Sequence, residues 1–156
     1  MMTLERKVAI ADKRDLAEVT EYSREDYARF GISLAHMLVS GQTPHDKVVE
    51  FVDRERPDLI ILAENYETTS ETLNRLSARF GHITDVPGDQ FGQIRAGQGV
   101  GALVEIKKKH PTLPVYMLSS SPWHEQETMQ KGATGYLTTF PVPEKLVRLL
   151  DQSRSH

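Results

Sequence analysis

The chain contains no cysteine among its 156 residues, which excludes a disulfide framework, a thiolate nucleophile and any zinc or iron–sulfur site built on cysteine. It also lacks a long apolar run. Residues 1–12 have no signal-peptide core and no later segment approaches the length of a membrane span, so a soluble, cytoplasmic protein with no membrane partner is expected. Neither sign of charge is in large excess: 19 basic and 22 acidic residues give a formal net charge of −3. The densest basic run, Lys107-Lys108-Lys109, reads as a solvated helix face, and no nucleic-acid partner is expected. The histidines, His36, His45, His82, His110, His124 and His156, are scattered without the paired spacing of a metal site, so no metal and no cofactor is expected.

What is present is an alternation of short apolar runs with helical patterns. Lys7-Val8-Ala9-Ile10-Ala11-Asp12 reads as a buried parallel strand ending in a charge. Residues 14–29 carry apolar positions at helical spacing and stop at Gly31. A strand at 32–39 follows, then a helix through Glu55 opened by Thr43-Pro44, with the threonine oxygen as cap and proline at the first helical position. Pro57-Asp58-Leu59-Ile60-Ile61-Leu62-Ala63 is apolar on both faces, as in a central strand covered on both sides. Residues 65–96 break the rhythm with a helical pattern and a glycine-rich stretch, and read as an insertion. The rhythm resumes with a helix at 98–109, a strand at 114–119, a helix at 122–130, a strand at 134–138 and a helix at 143–152.

Parallel strands joined by helical crossovers give an α/β, flavodoxin-like doubly wound sheet of five parallel strands, order 2-1-3-4-5, with helices on both faces. A single domain over 1–156 suffices. Sites in such folds lie at the carboxyl ends of the central strands, which directs attention to Asp12, Lys13, Ala63, Glu64, Ser119 and Thr139. Gly97-Gln98-Gly99-Val100-Gly101 follows a long loop and not the first strand, so it reads as a flexible hinge and not as a dinucleotide loop. The triple serine at 119–121 lacks a nucleophile elbow, and Ser121 before Pro122 reads as a helix cap, so a hydrolase is not expected.

Four fragments in order, Val8-Ala9-Ile10-Ala11-Asp12, Pro57-Asp58-Leu59-Ile60-Ile61-Leu62, Pro114-Val115-Tyr116-Met117-Leu118-Ser119-Ser120 and Lys131-Gly132-Ala133-Thr134-Gly135-Tyr136-Leu137-Thr138, resemble the response regulator receiver domain of two-component signalling. The resemblance implies a carboxylate nucleophile at the end of strand three, acids holding magnesium at the end of strand one, a hydroxyl after strand four and a lysine after strand five. At the nucleophile position stands Ala63, whose methyl group cannot form an acyl phosphate. At the lysine position stands Thr139, followed by Phe140. Asp12 aligns with the first acid and Lys13 with the second; shifting the frame by one puts Ala11 and Asp12 there, and either frame leaves a single acid. Lys13 is expected to pair with Asp12 or Glu64 in place of a metal. Glu64 sits one residue past the nucleophile position, where side chains point the opposite way, and is expected to be a solvated loop residue. Ser119 and Tyr136 match the family's switch hydroxyl and switch aromatic.

The resemblance thus implies a degenerate, phosphorylation-independent pseudo-receiver and not an enzyme. Its partner would be a signalling protein, with a homodimer possible through the helix at 122–130, the last strand and the final helix, around Trp123, Tyr136 and Leu149. Nothing after the final helix resembles an output domain. Two other readings stand beside it. One is a small-molecule sensor with 65–97 as a lid, which a thermal-shift screen would detect. The other is a phosphoacceptor receiver using Asp85, in the stretch His82-Ile83-Thr84-Asp85-Val86-Pro87-Gly88, which lacks an apolar strand before it.

Overall fold

The computed structural model describes residues 5–64, 66, 77–78, 88–119 and 125–154. The strands are β1 Arg6–Asp12, β2 Ile32–Leu38, β3 Leu59–Ala63, β4 Val115–Leu118 and β5 Gly135–Leu137. All pair in parallel, in the order β2-β1-β3-β4-β5, as the alternating sequence pattern implies. The helices are α1 Leu16–Val19, α2 Arg24–Ala28, α3 His45–Glu55, α4 Gly88–Lys109, α5 Glu125–Gln130 and α6 Pro143–Arg154.

The period of two along each strand divides the apolar residues between two cores. Ala9, Ala11, Ile60, Leu62, Val115 and Met117 face α3 and α4, where they meet Val48, Phe51, Val52, Leu103 and Ile106. Val8, Ile10, Leu59, Ile61, Tyr116 and Leu118 face the opposite way, toward Tyr27, Leu146 and Leu150. Every residue of β3 is buried, as a central strand covered on both faces requires. Tyr66, fully buried in the first core, draws the chain inward again just after β3; burial pushes its phenol pKa up.

The helical pattern over 14–29 resolves into two short helices, a correction to the single helix expected. Thr20 turns extended and ends α1, and Ser23 opens α2 with a reciprocal capping box. Asp26 N donates to Ser23 Oγ at 3.1 Å, and Ser23 N donates to Asp26 Oδ2 at 2.9 Å. Gly31 then takes φ 74° at the turn into β2. The start of α3 also differs from expectation. Pro44 is its cap residue, while Thr43 Oγ1 accepts from Ser40 N at 2.8 Å instead of from a helix amide.

The largest departure is at α4, which begins ten residues before the expected helix at 98–109. The glycines read as a hinge are helical. A Cβ on Gly99 would lie 2.2 Å from the Ala63 carbonyl oxygen and 2.5 Å from Glu64 Cα, and one on Gly101 would lie 2.1 Å from the His45 ring. The helix therefore touches the backbone at the end of β3 at Gly99, where no side chain fits, and the His45 side chain at the start of α3 at Gly101, where a larger residue would require the ring to move. Gly99 N also donates to the Glu64 carbonyl at 3.0 Å. The turns before Gly99 add about 16 Å of helix at 1.5 Å per residue. No helix among the described residues is long and apolar enough to cross a membrane.

Candidate functional site

The carboxyl edge of the sheet brings Asp12, Ala63 and Ser119 to the ends of adjacent strands. Register fixes this: Ala11 pairs with Leu62 and Ala63 with Leu118. Ala63 is 5% exposed and presents only a methyl group at the end of β3. Thr139 lies past β5 and is exposed. Phe140 after it packs on the second core, edge-on to Tyr27 at 6.0 Å between ring centres. The Tyr27 hydroxyl donates to the Pro141 carbonyl at 2.9 Å, so the chain leaving β5 is tied to α2.

Asp12 is 1% exposed, and its charge is met by Arg14, a residue the sequence reading passed over. Asp12 Oδ1 accepts from Arg14 N at 2.8 Å and from Arg14 Nε at 3.1 Å, and Oδ2 accepts from Arg14 Nη2 at 3.2 Å. The first is a local turn closed by the aspartate side chain; the other two form a bidentate guanidinium–carboxylate pair. Hydrogen bonding to Asp12 raises the Arg14 pKa against the opposing effect of burial. His36 Nε2 donates to the Arg14 carbonyl at 3.0 Å and steadies the same turn from β2. Lys13 beside it is half-buried. An aspartate followed two residues later by arginine is a signal the sequence does carry.

The magnesium implied by the resemblance does not fit these residues. Three of the roughly four acceptor positions of the Asp12 carboxylate are taken by Arg14, and Ala63 offers none. A guanidinium already stands against the buried acid, where a divalent cation would be repelled. Among the described residues no group of three metal-ligating side chains comes together.

Glu64 is not the solvated loop residue expected. It is 3% exposed. Its amide donates to the Leu118 carbonyl at 3.1 Å and extends the ladder beyond β3, so its side chain continues the face of Ile60 and Leu62 into the first core. There Oε2 accepts a hydrogen bond from the Tyr136 hydroxyl of β5. Ser119 hydrogen-bonds the same phenol. Burial first, then Glu64, push the Tyr136 pKa above its ordinary value, while Ser119 works the other way and Glu125 of α5 adds a smaller upward push. Among the described residues, Glu64 Oε1 is buried without a hydrogen-bond partner.

The structure thus makes two groupings where the sequence suggested one pocket. Asp12 and Arg14 form a closed pair at the end of β1; Ser119, Tyr136 and Glu64 form a chain under β4 and β5. Of the residues expected at an interface, Tyr136 is half-buried and turned to Glu64, and Leu149 packs partly buried against the second core. Trp123 and Asp85 lie outside the described residues.

No known family's sequence pattern matches the chain, and no curated protein matches it. Solved structures do. The BeF3-activated receiver domain of Klebsiella pneumoniae RstA superposes with a TM-score of 0.60 at 18% identity, covering 95% of this chain and 98% of that one. The chain has the receiver-domain fold. The receiver domain of Francisella response regulator 1452 gives 0.60 at 15% identity, over 97% and 98%. NtrX from Brucella abortus, in complex with ATP, gives 0.60 at 17% identity over 97% of this chain, which spans only 28% of the NtrX chain.

Proposed function

We propose that this receiver-fold chain is a phosphorylation-independent signalling module of a two-component-type system, acting in the cytoplasm by binding a protein partner and catalysing no reaction. The observation that carries this reading is Ala63. The residue at the end of the central strand, paired with Leu118 of β4 and one position past the Ala11–Leu62 pair with β1, has no lone pair with which to attack a phosphodonor. Two features support it. The buried acid of β1 is neutralised by Arg14 and not left open for a metal. The residue past β5 that would clamp a phosphoryl group is an exposed threonine, with no positive charge to offer.

The test is the intact mass of the protein after incubation with a small phosphodonor and magnesium. An unchanged mass is expected. A phosphate adduct would overturn the reading, and Asp85 would be the first residue to replace. The surface around α5, β5 and α6 is the proposed contact for a partner or a second copy. Sedimentation velocity across a range of concentrations distinguishes a self-associating chain from one awaiting a different protein.

A further inference from the structure

The carboxylate of Glu64 is an expensive residue in its place. It is 3% exposed, it accepts one hydrogen bond from Tyr136, and its second oxygen has no partner among the described residues. A leucine there would join Leu62, Met117 and Ala133 in the first core without any such cost. A buried, half-satisfied charge is a poor device for stability. It is a good device for fixing a neighbour, because the phenol that donates to it has no equally favourable alternative.

The neighbour it fixes sits at a useful point. Tyr136 is the middle residue of the edge strand β5, and its ring packs against the first core. Its hydroxyl is held from both sides: Ser119, just past β4, on one and Glu64, just past β3, on the other. Glu64 itself is anchored twice by backbone, through its amide to Leu118 and its carbonyl to Gly99 of α4. The carboxylate is therefore carried by hydrogen-bonded backbone, and Tyr136 reaches it through its side chain.

We propose that Glu64 is a built-in anion that holds Tyr136, through the chain Ser119–Tyr136–Glu64, in one inward position, so that residue 64 and not a modification at the end of β3 sets the surface formed by β4, α5 and β5. This rests on the reading that Ala63 takes no phosphoryl group. Under it, the position of Tyr136 is permanent, and a partner meets one form of that surface.

The experiment is carbon-13 NMR of protein labelled at tyrosine Cζ, with the Tyr136 signal assigned by its loss in Tyr136→Phe, followed from neutral to strongly alkaline pH. In the wild type, Tyr136 should give one signal that does not move where exposed Tyr22 ionises. In Glu64→Gln, Tyr136 should ionise at no more than a tenth of the hydroxide concentration it otherwise needs. In Ser119→Ala it should not ionise more easily, because Ser119 favours the ionised form. Glu64→Asp, which draws the charge back by one methylene, replaces Glu64→Gln if that variant does not fold. Tyr136 ionising with Tyr22 in the wild type would overturn the proposal, as would no change in the Glu64 variant. An equal change in the Glu64 and Ser119 variants, the mark of loosened packing alone, would also overturn it. A phosphate adduct by mass would remove the functional reading, whereas the Tyr136 titration decides the latch separately.

Discussion

The Tyr136 hydroxyl donates to the Glu64 carboxylate across 72 residues of sequence, joining the end of the central strand to the edge strand of the sheet. Because Glu64 follows the inward face of β3 and Tyr136 lies on the same side of β5, the bond crosses beneath β4. Ser119 meets the phenol there. The arrangement leaves the end of β3 with two unlike residues in succession, the methyl group of Ala63 and the buried carboxyl group of Glu64 behind it.

The bond has a thermodynamic signature. Tyr136→Phe removes the described donor to a carboxylate that is 3% exposed, and should cost about 2–3 kcal/mol. Glu64→Leu combined with Tyr136→Phe removes donor and acceptor together and should recover most of that loss. Urea denaturation of the wild type, the single and the double variant checks both. A double variant weaker than Tyr136→Phe alone would mean that the carboxylate has other support.

Gly99 offers a test in which two effects have opposite signs. Alanine in place of glycine inside a helix ordinarily stabilises by about 1 kcal/mol. Here the added Cβ would lie 2.2 Å from the Ala63 carbonyl oxygen and 2.6 Å from that of Glu64, and both are backbone atoms that cannot swing aside. Forcing α4 away from β3 should cost about 1–3 kcal/mol and occasionally more. Gly99→Ala should therefore be destabilised by at least about 1 kcal/mol in denaturant melts, and a gain in stability would mean that α4 does not approach β3 closely.

The pair at the end of β1 predicts indifference to metal. With Asp12 held by Arg14, the melting temperature should be the same with millimolar magnesium as with a chelator, since an ion that does not bind the folded state cannot stabilise it. Arg14→Ala should cost about 1 kcal/mol. The guanidinium is 43% exposed, which limits the worth of the ion pair, but the acid it leaves is 2% exposed. A rise in melting temperature with magnesium in the wild type would show that Arg14 yields to the ion.

The strands were legible because burial on both faces forces continuous apolar runs such as Leu59-Ile60-Ile61-Leu62, and their alternation with helices restricts the topology. The placement of Ala63 at the end of the central strand and of Thr139 past β5 follows from the same strand pattern. The burial of Glu64 was not legible. Whether a carboxylate is buried depends on its partner, and Tyr136 is remote in sequence. Gly99 and Gly101 were misread for a related reason: glycine serves a hinge and a close approach equally well, and only the facing atoms of Ala63 and His45 decide between them. Arg14 is a different case, since its contact with Asp12 is local and the spacing alone could have suggested it.

Acid should weaken the protein partly through Asp53. Its Oδ2 accepts from Lys109 Nζ at 2.5 Å and its Oδ1 from His110 Nε2 at 2.7 Å, tying α3 to the end of α4. Hydrogen bonding to Lys109 first, and to His110 second, holds its carboxyl pKa below the usual range. A depressed folded-state pKa means that the unfolded chain takes up the proton more readily. The contribution is complete above the ordinary carboxylate pKa of about 4 and is lost as pH falls through the lower folded-state value. Asp26, lowered chiefly by its backbone hydrogen bond at Ser23, adds to the same slope. Stability measured by urea denaturation from pH 6 down to pH 3 should fall, and in Asp53→Asn it should fall less steeply below about pH 4. Equal slopes in the two proteins would show that Lys109 and His110 do not hold Asp53 in solution.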